Sequence, residues 1–159
     1  LNGKFEDVSS RITSLGRVAA QSMLDALQAD AAVVFAGEFA GSLAAGSRLK
    51  EDIEQLFPAA GEVVLVDLLG SDIYELLEEA LYEIPSAWFP HLVGMQAIVN
   101  REEVPGNRVF RIRHDRRVLD PHAFYRIAVT QGAVDAVFPG LRVIPTGYKL
   151  SDLIFSYLQ

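Results

Sequence analysis

The sequence predicts an α/β domain, and three observations carry that assignment. A helical period from about Asp7 to Gln28 runs straight into the apolar stretch Ala31–Ala36. A second run, Glu62–Leu69, is rich in β-branched residues and leucine and is followed at once by another amphipathic helix. In the second half, strand signals alternate with turns at Pro105-Gly106 and Asp120-Pro121. With 159 residues and a hydrophobic share of 50%, the chain suffices for one well-buried domain spanning 1–159.

In the first helix Val8, Ile12, Leu15, Ala19, Met23 and Ala26 form one stripe, with Asp7, Ser9 and Ser10 as N-cap candidates. Ala31–Ala36 is a short strand, and a loop with Gly37, Gly41 and Gly46 follows it. Glycines at such a place let backbone amides come close to a ligand. Lys50–Phe57 reads as a short helix stopped by Pro58, and Glu62–Leu69 as a buried strand. Ser71 is the expected cap of a helix that continues to about Ile84, before Pro85. Its apolar face carries Ile73, Leu76, Leu77, Ala80, Leu81 and Ile84; its acidic face carries Asp72, Glu75, Glu78, Glu79 and Glu83. The acidic face reads as solvated rather than metal-binding, and Asp72 and Glu75 also suit the positive helix N-terminus. Pro85–Pro90 reads as an apolar loop, either an exposed interaction surface or, the preferred reading, a segment in which Trp88 and Phe89 serve as core plugs. Met95–Asn100, Asn107–Arg113 and Phe124–Thr130 are the later strands, and Leu150–Leu158 closes the chain as a helix capped near Ser151 or Asp152.

Composition removes several function classes. The formal net charge of −7 disfavours non-specific binding to nucleic acid or to an anionic membrane surface. No apolar run approaches the ~20 residues a membrane-spanning helix needs. With no cysteine, disulfides, thiol catalysis and cysteine-held metals are excluded, while the redox compartment stays open. His91, His114 and His122 are not spaced as metal ligands, and each reads as a surface or loop residue. No Gly-x-Ser-x-Gly elbow is present, and the glycine spacing fits neither a dinucleotide fingerprint nor a P-loop. The stretch Arg108–Arg117 concentrates basic charge against the acidic whole. On a strand it places Arg111 and Arg113 on one face and Phe110 and Ile112 on the other. It reads either as an exposed hairpin or as a patch for an acidic partner or a phosphate. Leu1-Asn2-Gly3-Lys4 reads as a cut inside a longer chain.

An ordered set of motifs gives a family resemblance over about residues 19–158. It comprises Ala29–Leu43, Ala45-Gly46, Glu51-Asp52-Ile53, Leu56-Phe57-Pro58 and Val63–Ile73. It continues through Phe89–Met95, Pro105-Gly106-Asn107-Arg108-Val109, and Leu119-Asp120-Pro121 with Tyr125–Val129. In this order they resemble the C-terminal domain of the 5'-nucleotidases, the two-domain metallophosphoesterases. The resemblance implies an α/β fold layered as an α/β/β/α sandwich with mixed sheets. It also implies an N-terminal metallophosphoesterase domain as partner, which would hold the divalent metals; no cofactor is expected in this fragment. The family's habit of export implies a periplasmic or extracellular location.

The same resemblance places the family's nucleotide-binding residues on positions that have changed chemistry. In the family the first strand ends in Asn-Gly-Gly-Gly-Ile-Arg, whose Asn falls on Phe35 and whose Arg falls on Ala40, with Gly37 between them. One aromatic clamp falls on Ala59 after Pro58, and the second falls on Gly132. Losing two stacking rings would remove roughly 1–3 kcal/mol per base-stacking contact, and losing a bidentate Arg would remove more. The resemblance therefore implies a non-catalytic, substrate-recognition-type domain with its nucleotide pocket degenerate. The alternative is a scaffold module that keeps the fold and binds another ligand or a protein. On either reading Phe35 is expected to be buried, because an exposed ring costs roughly 25 cal/mol per Å² of apolar surface.

Overall fold

The computed structural model describes residues 13–41, 50–82 and 86–159. Its organising strand is β1 (Ala31–Phe35), in which all five residues are buried. Ala31, Val33 and Phe35 face one core, and Ala32 and Val34 face the other. An uninterrupted apolar run encodes this arrangement, since a strand covered on both faces has no polar side to show. β1 runs antiparallel to β3 (Pro90–Val93) and parallel to β7 (Phe124–Thr130). β7 in turn pairs antiparallel with β2 (Glu62–Leu69), and β8 (Ile144–Lys149) closes the sheet in the order β3-β1-β7-β2-β8. The sheet is mixed.

One face of this sheet is covered by α1 (Ser14–Ala26), α2 (Lys50–Glu54) and α5 (Leu150–Leu158), which bury Leu15, Met23, Ile53 and Ile154. The other face packs against α3 (Gly70–Tyr82), α4 (Gln131–Val137) and a three-stranded antiparallel sheet. That second sheet holds β4 (Gln96–Val99), β5 (Val109–His114) and β6 (Arg117–Val118). β6 pairs only with Arg113 and His114, so much of one edge of β5 lies beyond its reach. Side chains of α3 take up that edge: the Ile112 N–H donates to Tyr74 Oη at 3.0 Å and the Val109 N–H to Glu78 Oε1 at 2.5 Å. The Arg108 guanidinium donates to the Leu81 carbonyl, where the helix leaves its last carbonyls unpaired. The helix is thus bonded to the sheet as well as packed on it, and the two sheets and five helices among the described residues form the layered α/β arrangement expected.

Several local expectations are corrected. α1 spans Ser14–Ala26, with Thr13 Oγ1 accepting from the Gly16 N–H at 3.2 Å. Val8, Ile12 and the cap candidates Asp7, Ser9 and Ser10 lie outside the described residues, and Ala26 is exposed. α2 ends at Glu54 rather than Phe57. α3 begins at Gly70, so Ser71 is not its cap; the Gly70 and Ser71 N–H groups instead donate to the Ala123 and Pro121 carbonyls. A Cβ on Gly70 would stand 2.1 Å from the Asp120 oxygen, so this strand-to-helix corner requires glycine. Lys149, not Ser151 or Asp152, is the N-cap of α5. Pro90, expected to end a loop, opens the strand Pro90–Val93, and this strand, α4 and β8 are not among the elements the sequence predicts. Phe89 is core, whereas Trp88 is 47% exposed. Glu83, Ile84 and Pro85 lie outside the described residues.

Phe110 departs from the alternation expected of it. Ile98 pairs with Arg111 and Val99 with Val109, leaving Phe110 as the extra residue of a bulge. It is 70% exposed with the Arg111 guanidinium 5.3 Å from its ring centroid, while Ile112 is buried as expected. The hairpin turns at Asp115 and Arg116, both at positive φ, as a two-residue type I′ connection demands. His114 then reaches Asp30 Oδ1 with its Nε2 at 3.2 Å and the Gly94 carbonyl with its Nδ1 at 3.2 Å, tying the hairpin to the large sheet.

His91 is the largest correction among the histidines: it is fully buried in β3. Its Nδ1 accepts from the Thr13 N–H at 3.4 Å, and its ring lies 5.2 Å from Phe39 and 5.7 Å from Phe89. A Cβ on Gly16 would stand 2.0 Å from that same nitrogen. Gly16→Ala is therefore expected to force the His91 ring aside and to lower stability by about 1–3 kcal/mol, the usual cost of overpacking. A urea midpoint unchanged by this substitution would show that the ring moves freely.

Candidate functional site

The sequence points to the end of β1 as the place to look, and the geometry there is that of a closed corner. β1 runs into a short 3-10 turn, Ala36–Glu38, and the chain then turns away through Phe39 and Ala40. Phe35, the first site position, has no exposed surface and meets the Trp88 ring edge-on with centroids 6.3 Å apart. Gly37 donates its N–H to the Ala87 carbonyl at 2.7 Å, and a Cβ there would stand 3.1 Å from the same oxygen. Glycine therefore serves the close approach of the 86–88 segment. Ala40 and Ala59 are exposed. Gly41 is described, and Gly46 lies outside the described residues.

Four of the backbone amides in this loop have partners within the protein. Ala36 N–H donates to the Phe89 carbonyl at 3.0 Å, Phe39 N–H to Ala36 at 3.2 Å and Ala40 N–H to Leu56 at 2.8 Å. Together with that of Gly37, the four donors that a strand end would offer a ligand are already bonded. The positions of the two aromatic clamps are likewise brought together without rings. Gly132 N–H donates to the Ala60 carbonyl at 3.0 Å, and a Cβ on Gly132 would fall 2.1 Å from the Ala59 oxygen. Phe39 turns inward, with its ring 5.1 Å from that of Phe57.

Glu38 is the polar residue that sequence reasoning left without a structural role. Its Oε2 accepts from the Phe35 N–H at 2.8 Å and its Oε1 from the Thr130 hydroxyl. Thr130 is buried and caps α4, accepting from the Ala133 N–H at 3.1 Å. One carboxylate therefore clasps the ends of the parallel strands β1 and β7. The only sequence signal was its spacing, three residues after the strand's last residue, as in a capping box. Among the described residues no group of His, Asp and Glu is placed to hold a metal ion, so these residues do not fit a hydrolytic metal centre.

Burial pushes the Glu38 carboxyl above its ordinary value of 4.5, against the opposing pull of the hydrogen bonds from Thr130 and Phe35. A carboxyl whose folded pKa is raised binds its proton more readily in the native state. Its contribution to stability is present below the unfolded value and is lost as pH rises through the folded one. Glu38→Gln keeps an acceptor for Phe35 and a donor for Thr130 but cannot ionise. Its stability relative to the parent chain is therefore expected to rise between about pH 4 and pH 8. Urea unfolding across that range checks this; a pH-independent difference would mean that burial does not govern the group.

With this geometry in hand, comparison with known proteins gives a consistent family. Residues 2–136 match the family model described as 5'-nucleotidase, C-terminal domain. The chain is 26% identical over 164 residues to the trifunctional nucleotide phosphoesterase protein YfkN of Bacillus subtilis (strain 168), covering 96% of this chain and 11% of YfkN. The 5'-nucleotidase precursor from Thermus thermophilus superposes with a TM-score of 0.84 at 21% identity, over 98% of this chain and 34% of that one. The Haemophilus influenzae NAD nucleotidase superposes with a TM-score of 0.73 at 16% identity, over 91% of this chain and 29% of its own. The chain thus spans between a tenth and about a third of the length of these relatives. The structural likenesses show the fold, and the family model covers most of the sequence: the chain belongs to the 5'-nucleotidase C-terminal domain family.

Proposed function

We propose that this chain is the non-catalytic C-terminal domain of a nucleotide phosphoesterase-like protein, and that its own nucleotide cleft is filled by its own side chains and backbone. The observation that carries the reading is the loop after β1, where the amides of Ala36, Gly37, Phe39 and Ala40 are all bonded within the protein. Phe35 adds to it, because a buried ring stands where the family pattern has an amide side chain. Glu38 adds a half-buried carboxyl group, which offers an anion no positive charge. On this reading hydrolysis, with its divalent metals, belongs to an N-terminal domain of the same chain. The present residues supply the rigid half against which that domain works.

Calorimetry with AMP and with adenosine tests the reading. Dissociation constants weaker than about 1 mM are expected, which corresponds to less than about 4 kcal/mol of binding. A low-micromolar constant would sink it. No release of phosphate from AMP is expected when Mn²⁺, Zn²⁺ or Mg²⁺ is added to the purified chain, and metal-dependent turnover that survives further purification would count equally against it.

Phe35→Asn separates a filled cleft from an open one. It restores the family's residue but empties a packed site and buries an amide, so a loss on the order of 3 kcal/mol is expected. A thermal melt unchanged by the substitution would show that the corner tolerates a polar group.

A further inference from the structure

Beside the closed corner lies a cavity of about 410 Å³ between α3, the Ser86–Phe89 segment and the C-terminal part of α4. Leu76, Ala136 and Val137 are among its apolar lining, Trp88 and Tyr82 contribute rings, and Glu79 contributes a carboxylate. Both rings are left facing solvent, Trp88 at 47% and Tyr82 at 64% exposure. Trp88 is nonetheless held in place. Its ring stands edge-on against buried Phe35, its backbone N–H donates to Ser86 Oγ at 3.1 Å, and its neighbours Ala87 and Phe89 accept from Gly37 and Ala36. Glu79 makes no ion pair among the described residues.

We propose that this cavity binds a small organic cation, a substituted ammonium seated against Trp88 and Tyr82 with Glu79 as its counter-charge. The ring faces carry negative electrostatic potential and attract a weakly hydrated cation, most strongly at tryptophan. Glu79 adds a full charge of the same sign. The adjoining groove continues past Leu76 and Val137 to Glu75 and Asp72, so the local field excludes anions. A single carboxylate is too few ligands for a metal ion, whereas an alkylated ammonium needs no fixed coordination and benefits from the apolar lining. The volume lies in the range of small-ligand sites, at its lower end. The site needs no bound nucleotide, but it rests on the same placement of the 86–89 segment against Phe35 and the turn after β1 that the proposed function invokes.

Trp88 is the only tryptophan in the chain, so its fluorescence reports on this cavity alone. Titration of the whole chain with choline chloride and tetramethylammonium chloride is expected to give a saturable change at millimolar concentrations. Sodium chloride at equal ionic strength, and the neutral choline isostere 3,3-dimethyl-1-butanol, are expected to give none. Glu79→Gln, on the exposed side of α3, should weaken the response by roughly five- to tenfold, and Tyr82→Leu by roughly threefold. Circular dichroism confirms that both variants fold, and calorimetry repeats the measurement without relying on the indole. A linear response shared with sodium chloride would overturn the proposal. So would equal binding of the neutral isostere, or a dissociation constant unmoved by Glu79→Gln.

Discussion

The parallel pairing of β1 with β7, clasped at its end by Glu38, is the constraint on which the rest of this domain depends. Parallel neighbours cannot be joined by a tight turn, and here the intervening chain from Ala36 to Ala123 carries the rest of the large sheet except β8 together with the whole second sheet. The pair itself is short, with register given by Ala31↔Ile127 and Ala32↔Ala128. Beyond it the two strands diverge towards a 3-10 turn and a helix. A side chain must bridge them there, and Glu38 does so by accepting from one strand's amide and from the other's capping hydroxyl. Removing solvent from that carboxylate is costly, yet its absence would leave the Phe35 N–H without its acceptor in a sealed corner.

That clasp and a ligand pocket compete for the same space. A cleft for a phosphate ester needs unpaired donors at the strand end, and such donors cost stability until the ligand arrives. In this chain the carbonyls of Ala87 and Phe89 reach across to the Gly37 and Ala36 amides, and the Leu56 carbonyl takes that of Ala40. The Gly132 backbone lies against Ala59 and Ala60 with no room for a Cβ. Each contact satisfies a group that an open site would leave to water or ligand. These contacts make the corner a packing surface, while Trp88 and Tyr82 keep their rings largely open to solvent.

What the sequence made legible follows from how local each signal is. β2, β7 and α5 are found at the residues predicted, because hydrophobic runs and a closing amphipathic pattern depend only on neighbours in the chain. Burial of Phe35 was legible too, from its place at the end of an all-apolar strand. β8 was not: its residues Ile144–Lys149 include Pro145 and Gly147 and are mostly exposed, and it is a strand only because Glu62, Val64 and Leu65 of β2 offer partners. α4 was hidden behind Gly132, a poor helix former that is present because Ala59 presses on it. His91 misled for a related reason. A lone histidine carries no mark of burial, and what receives it is Gly16, 75 residues earlier in the chain, together with Phe39 and Phe89. Phe110 was misplaced because a bulge breaks the two-residue alternation, and a bulge is a property of two strands together.

Phe35, Gly37, Ala40 and Ala59 could be named from the sequence as candidates, whereas the bonding of the backbone around them could not, and the difference is physical. Aligning Phe35, Gly37, Ala40 and Ala59 on a family pattern says which side chains are present; it does not say where the backbone donors between them go. The Ala36 and Gly37 donors are answered by carbonyls about 50 residues away in the 86–89 segment, and that of Ala40 by Leu56. Side-chain substitution and backbone satisfaction nonetheless point the same way. Phe35 packs against Trp88, and the carbonyls of its neighbours Ala87 and Phe89 accept from the Gly37 and Ala36 amides of the turn. Buried polar groups in a low-dielectric corner must be satisfied together or not at all. A single substitution at Phe35 would therefore leave the Ala87 and Phe89 carbonyls in place, and freeing the amides of the turn requires displacing that whole segment.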